Sequence, residues 1–106
     1  MTAEDLLALV QPVFVQLLTD AELTSLGLEV VRLYEPDGAA FLRSDPIDGE
    51  GAVVRWLILG EQGWSSELDP RASAGALKRA LLGDLQDFIA ESGFGWGQLR
   101  LPPTTA

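Results

Sequence analysis

Three carboxylates in one loop are the first candidates for chemistry in this chain of 106 residues. Asp45, Asp48 and Glu50 lie in the stretch SDPIDGEG, and hard cations such as calcium prefer carboxylate oxygens as ligands. An EF-hand loop places its oxygen ligands at alternate positions and ends in a more distant glutamate. Because the spacing here does not follow that order, we expect a solvated turn, with no resident metal or other cofactor.

A second group of polar side chains lies around Trp64. Glu61 and Glu67 flank this tryptophan, and a pair of carboxylates is what a glycosidase uses. Such a pair also needs a cleft, which a chain of this length has little material to build. Ser65 and Ser66 have no histidine in the chain to serve as their base. We therefore predict no catalytic residue, and a carboxylate-only enzyme is the third hypothesis.

The composition excludes several further classes of function. The chain has no histidine and no cysteine, which removes zinc sites, Ser-His or Cys-His catalysis and disulfide bonds. Its 16 acidic and 7 basic residues give a net charge of −9, so nucleic acid and anionic membrane surfaces are poor partners, whereas a basic protein would be attracted. No apolar run is long enough to span a membrane, and acids stand where a secretory signal carries bases. We expect a cytoplasmic protein.

The elements that must position these residues begin with a helix. Thr2 and Asp5 have the spacing of a capping box, and apolar residues then recur at gaps of three and four as far as Leu18. Pro12 lies off this apolar stripe and should kink or split the helix, because proline removes a backbone donor. A short helical turn is expected to follow from Asp20.

A β-hairpin is the clearest local prediction. In the stretch EPDG, the proline suits the second position of a type I turn and the glycine suits the left-handed residue that follows. This turn predicts paired strands over residues 28–35 and 39–44. The pairing would place Arg32 opposite Leu42.

Two more strands are predicted after the carboxylate loop. The stretch AVVRWLIL, residues 52–59, is apolar on both faces apart from Arg55, as is typical of a central strand. The glycines of GEQG then indicate a turn. The stretch WSSEL, residues 64–68, alternates as a fourth strand.

The second long helix and a tail complete the chain. Asp69 followed by Pro70 is a natural helix start, and Gly93 has the position of a C-cap. Phe94 and Trp96 alternate with glycines in GFGWGQLRL, so their side chains point to one side of an extended segment. We expect these aromatic residues to anchor the tail on the domain's own core, or else to dock on a partner.

Together these elements predict a single α+β domain over residues 1–106, in which residues 93–106 form an extended C-terminal tail. In the order α-β-β-β-β-α, each helix has one apolar stripe, so two helices can cover one face of a four-stranded antiparallel meander. The predicted architecture is therefore a two-layer sandwich. Its element order and acidity resemble, at the level of fold, those of bacterial immunity proteins and secretion chaperones. The resemblance implies an inhibitor or adaptor that binds another protein.

One face of the predicted sheet has no helix to cover it. Wholly apolar sets such as Val54, Trp56 and Ile58 are assigned to the helix side. The other face mixes arginine, tyrosine and aliphatic side chains, which is too apolar for plain solvated surface and is typical of an interface. Alternatively, the tail folds across this face, or its arginines pair with nearby acids. The residues predicted to bind a partner are Arg32, Tyr34, Leu42, Arg55, Leu57, Phe94 and Trp96.

From this face we predict a non-catalytic protein-binding domain. The partner is a second copy in a homodimer, or another, basic protein bound by an immunity-type inhibitor or chaperone-like adaptor. The alternative is a small-molecule-binding domain with an apolar pocket between the helices and the sheet, beside Trp56.

Overall fold

The fold is known from a computed structural model, which describes residues 1–32, 40–47, 52–93 and 95. This part of the chain forms an α+β domain with three helices and one three-stranded antiparallel sheet. The strand order is β1-β2-β3, so β2 is central. In chain order the elements are α1 (Ala3–Leu17), α2 (Asp20–Ser25), β1 (Gly27–Arg32), β2 (Ala52–Ile58), β3 (Glu61–Trp64) and α3 (Ala74–Glu91).

Helix α1 begins as its sequence predicts. The Asp5 N–H donates to Thr2 Oγ1 at 3.1 Å, and the Thr2 N–H donates to Asp5 Oδ2 at 2.9 Å, which completes a capping box. The hydrogen bond from the Thr2 N–H also holds the pKa of Asp5 below its usual value. Pro12 does not split the helix, which continues to Leu17. The residues that α1 buries are Ala3, Leu6, Leu7, Val10, Val13, Phe14 and Leu17.

The core lies between the sheet and the long helices, and Trp56 is at its centre. Its ring meets the Phe14 ring of α1 edge-on, with centroids 5.8 Å apart, and the Phe88 ring of α3 at 5.5 Å. Edge-to-face contacts of this kind add to the hydrophobic stabilisation of aromatic side chains. The apolar stripe of α3 closes the layer with Leu77, Leu81, Leu85 and Ile89.

The prediction of a four-stranded meander with two helices is wrong, and the first reason is the predicted hairpin. Of the described residues 40–44, only Ala40 pairs with β1, in an isolated bridge to Val31. The chain then turns: the Leu42 N–H donates to Asp45 Oδ2 at 2.8 Å, and the Asp45 N–H to the Leu42 carbonyl at 2.9 Å. The Asp45 side chain thus takes a backbone donor that a strand would pair. The EPDG turn lies outside the described residues.

The predicted fourth strand is also displaced. Leu59 and Gly60 both have positive φ, 48° and 82°, as a two-residue type I′ hairpin turn requires. The chain therefore reverses earlier than GEQG predicts: Gly60 completes the turn, and the other three residues of that stretch belong to β3, Glu61–Trp64.

Beyond β3, the pairing with β2 shifts by one residue. Arg55 lies opposite Trp64, whereas Ala52 bridges to Leu68, which leaves one extra residue on the later strand. At this bulge the Val54 N–H donates to the Ser65 hydroxyl at 2.9 Å, where a regular ladder would supply a carbonyl. Most of WSSEL is therefore outside the sheet.

Both ends of α3 differ from the prediction. Its N-cap is Ser73, whose hydroxyl accepts from the Ala76 N–H at 3.1 Å. Asp69 instead forms a preceding turn, where the hydrogen bond from the Arg71 N–H lowers the pKa of Asp69. The C-cap is Ser92, and the Gly93 N–H donates to the Glu61 carboxylate at 2.9 and 3.0 Å.

The segment after α1 was predicted to form a short helical turn, and it forms a six-residue helix, α2. Helix α2 has its own capping box, in which the Thr19 N–H donates to Glu22 Oε1 at 2.8 Å.

Of the helices in the described ranges, none has the length and apolar character needed to cross a membrane.

Candidate functional site

The side of the sheet away from the helices is the candidate site, and the strand register determines its composition. Val54, Trp56 and Ile58 point into the core, so the alternating residues of β2, Arg55 and Leu57, point away from it. Residues directly opposite each other in an antiparallel pair share a side. The pairing therefore defines what we call the open face: one row of Glu29, Arg55 and Trp64, and a second row of Gly27, Leu57 and Gln62.

An ion pair joins β1 and β2 on the open face. Arg55 Nε donates to Glu29 Oε1 at 2.6 Å, and the Arg55 guanidinium also contacts this oxygen through Nη2. The side chains are partly exposed, so the pair contributes little to stability, about 0–1 kcal/mol. The pair matters more for the charge of the surface: its two groups neutralise each other, so this row carries no net charge in a chain of net charge −9.

Exposed apolar side chains surround this ion pair. Leu57 is 46% exposed and Trp64 is 54% exposed, and Leu59 in the adjoining turn is 48% exposed. Val31 and Val53 lie on the same side of the sheet but are buried, so the exposed part is confined to one end. An aromatic and aliphatic patch beside an arginine is typical of the centre of a protein interface.

A groove of about 440 Å³ runs beside Gly27 on this face. Glycine leaves a gap in the row, since a Cβ at Gly27 would lie 3.9 Å from the Cβ of Leu57 and contact nothing closer. The groove is lined by Gly27, Leu28, Glu29, Arg55, Trp56, Leu57 and Gln62.

The structure separates the residues that were predicted to bind a partner. Arg55 and Leu57 are together on the open face, as expected. Arg32 is not: it pairs opposite Ala52, on the helix side, and its guanidinium carbon lies 3.9 Å from the centre of the Phe41 ring. Arg32 also approaches the Asp45 carboxylate, at 3.5 Å.

Among the other predicted binding residues, Leu42 alone is described, and it lies outside the open face. Leu42 is exposed, but in the turn that follows Phe41. Tyr34, Phe94 and Trp96 lie outside the described residues, as does most of the predicted tail. A role in binding stays a prediction for all of these residues.

Sequence reasoning missed Glu29, Gln62 and Trp64. It assigned Trp64 to the helix side because Trp64 and Leu68 form a wholly apolar set, whereas the turn at Leu59–Gly60 and the pairing with Arg55 place Trp64 on the open face. It also placed Val31 inward, whereas Val30 and Leu28 face the helices. Glu29 could have corrected this assignment. If Val30 faces the core, its neighbour Glu29 faces the other side of the sheet, where its carboxylate can pair with Arg55.

Several of the remaining chemical candidates have structural roles. Asp45 closes the turn at Leu42, and Glu61 holds the backbone after α3. The Ser66 hydroxyl donates to Asp84 Oδ2 at 2.8 Å, which ties the bulge to α3. Asp48 and Glu50 lie outside the described ranges, and within those ranges no three carboxylates cluster as metal ligands would.

Comparison with known proteins adds no family to this description. No protein-family model, no curated protein and no solved structure matches the chain at a significant level.

Proposed function

We propose that this chain is a non-catalytic protein-binding domain and that it binds its partner through the open face. The observation that carries the proposal is the exposure of Leu57 and Trp64, at diagonal positions of the two rows, next to the Arg55–Glu29 pair. Tryptophan and arginine are the residue types most enriched among those that dominate binding energy. An exposed apolar patch on a folded domain commonly marks an interaction surface.

The chemistry of the open face suits recognition better than catalysis. Its functional groups are one carboxylate, one guanidinium, one amide and one indole, and the two charged groups already bind each other. A histidine or cysteine nucleophile or base is absent from the whole sequence. Leu57 and Trp64 supply the apolar area, while Arg55 and Gln62 supply hydrogen-bond donors.

The space beside Trp56 gives no support to the alternative of a small ligand between the helices and the sheet. That space holds Trp56, Phe14 and Phe88, in ring-to-ring contact. Trp56 and Phe14 are both essentially inaccessible to solvent. A ligand would have to displace packed aromatic rings, which a protein interior resists because it is already close-packed.

The proposal is tested by site-specific photo-crosslinking in the cells that naturally produce the chain. A benzophenone amino acid replaces Trp64, and a control variant carries it at Val15, which is equally exposed, at 55%, but lies on α1. We expect a discrete crosslinked protein product from position 64 and none from position 15. No product from position 64, or the same products from both positions, would overturn the proposal.

A further inference from the structure

We propose that the partner is a second copy of this chain, and that Trp64 of each copy fills the groove beside Gly27 of the other. This inference rests on the proposed function, since it uses the same open face. The face contains both halves of a contact. Trp64 projects from β3 with about half of its surface exposed. The groove is lined by residues of all three strands and is open at its β1 end, where Gly27 has no side chain.

The strand register places the projecting side chain and the groove where one symmetry axis can exchange them. Trp64 lies in the row of Arg55, and Gly27 lies in the neighbouring row of Leu57, on the opposite edge strand. A twofold axis that crosses β2 between Arg55 and Leu57, oblique to the strands, exchanges the positions of Trp64 and Gly27. Both contacts then form at once, as in an isologous dimer.

The same axis satisfies the charges of the face. It brings Arg55 of one copy towards Glu29 of the other, so each guanidinium meets a carboxylate and no like charges are apposed. A basic partner would find no uncompensated carboxylate here, because Glu29 is already bound to Arg55. The choice of a second copy over a basic protein therefore follows from the local balance of charge.

Because each copy has a net charge of −9, the salt dependence of binding distinguishes a second copy from a basic partner. The open face is balanced, so repulsion between copies comes from the rest of their surfaces, where salt screens it over roughly 8–10 Å. Association should therefore tighten as the salt concentration rises. Binding to a basic partner should weaken under the same conditions.

Two variants remove the contact from opposite sides. Trp64→Ala deletes the projecting side chain, and Gly27→Leu fills the groove. We expect the fold to accept the second change, because the nearest atom to a new Cβ is 3.9 Å away and Gly27 is exposed and does not have positive φ. Matched controls are Val15→Ala and Gly83→Leu: Val15 is an exposed side chain on α1, and Gly83 is an exposed glycine on α3 with open space around it.

Sedimentation equilibrium of the purified chain measures the dimer, and circular dichroism shows that each variant is folded. We expect a reversible wild-type dimer that tightens with salt, weakened roughly tenfold or more by each variant and unchanged by either control. A mixture of the two variants is decisive. Its heterodimer keeps one intact contact, between Trp64 of the Gly27→Leu copy and the groove of the Trp64→Ala copy, so it should form more tightly than either variant alone.

Three outcomes would overturn the inference. These are a wild-type monomer up to its solubility limit, a dimer that salt weakens, or a mixture that associates no better than its components. A monomer that still crosslinks to a different protein from position 64 would leave the proposed function standing and remove only the second copy as its partner.

Discussion

The side chains on the two faces of β2 differ in burial, although they alternate along one strand. Val54, Trp56 and Ile58 are buried against the helices, whereas Arg55 and Leu57 between them keep a quarter to a half of their side-chain surface. The helix side is specified by packing, where each ring and methyl group has a defined neighbour. The open face has no such requirement, and folding alone does not explain why it carries exposed tryptophan and leucine. The contrast teaches that packing with the helices constrains one side of the strand and does not constrain the residue types at the exposed end of the other side.

The largest expected effect lies at the centre of the packed face. Trp56→Ala should lower the free energy of unfolding by about 3–5 kcal/mol, because it removes a fully buried ring between Phe14 and Phe88. Arg55→Ala, one residue earlier on the other face, should lower it by about 1 kcal/mol or less. Urea denaturation of both variants measures the difference. Similar losses at the two positions would remove the contrast between the faces.

Two glycines on opposite faces offer the next comparison. A Cβ at Gly63 would lie 2.4 Å from Trp56 Nε1 and 2.6 Å from Phe88 Cδ1, so Gly63→Ala should destabilise the domain by about 1–3 kcal/mol. Gly27→Ala meets no such contact and should leave stability unchanged or raise it by about 0.4–1 kcal/mol, since it restricts the unfolded chain. Thermal melting curves test both. A destabilising Gly27→Ala would mean that the groove is required by the fold.

The bulge after β3 gives a third expectation. Ser65→Ala removes the hydroxyl that accepts from the Val54 N–H, and leaving this buried donor unpaired should cost about 1–3 kcal/mol. Ser66→Ala is the control, because the Ser66 N–H still donates to Asp84. Amide hydrogen exchange at Val54 reports the effect directly. Equal protection of that amide in wild type and Ser65→Ala would show that the hydroxyl does not hold the bulge.

The smallest effect on stability is expected at the open face itself. Leu57→Glu should change the free energy of unfolding by no more than about 0.5 kcal/mol, since surface positions outside special features tolerate substitution. It should also abolish association, because the new charge enters the centre of the patch. Light scattering beside a melting curve separates the two quantities. A large loss of stability would support the alternative in which residues 93–106 fold across this face.

Local signals in the sequence were sufficient for the first helix and the central strand. The capping box of Thr2 and Asp5 acts over three residues, so it needs no information from elsewhere in the chain. The strand over residues 52–59 was recognised because apolar residues on both faces mark a central position, and β2 occupies most of that range.

The sheet could not be predicted in the same way. The turn at Leu59–Gly60 lacks the asparagine or aspartate that usually marks a type I′ turn. The two glycines of GEQG therefore favoured a turn one residue later and two residues longer. The Asp45 side chain ended the pairing of residues 39–44 through a hydrogen bond that no alternation pattern reveals. The positions of Leu42, Gln62 and Trp64 depended on these two features, whereas the shared side of Arg55 and Leu57 follows from alternation along β2 alone.

By itself the sequence determined the excluded chemistry, through the absence of histidine and cysteine, and the local structure of its most regular segments. Only the tertiary structure decided which side of β1 meets the helices and that Trp64 points away from them. The reason is the two-residue period of a strand: a shift of one residue in a turn or a register moves every side chain to the opposite face. That choice is made by the fit of Val30 and Trp56 into a shared core, which exists only after the helices and the sheet have packed together.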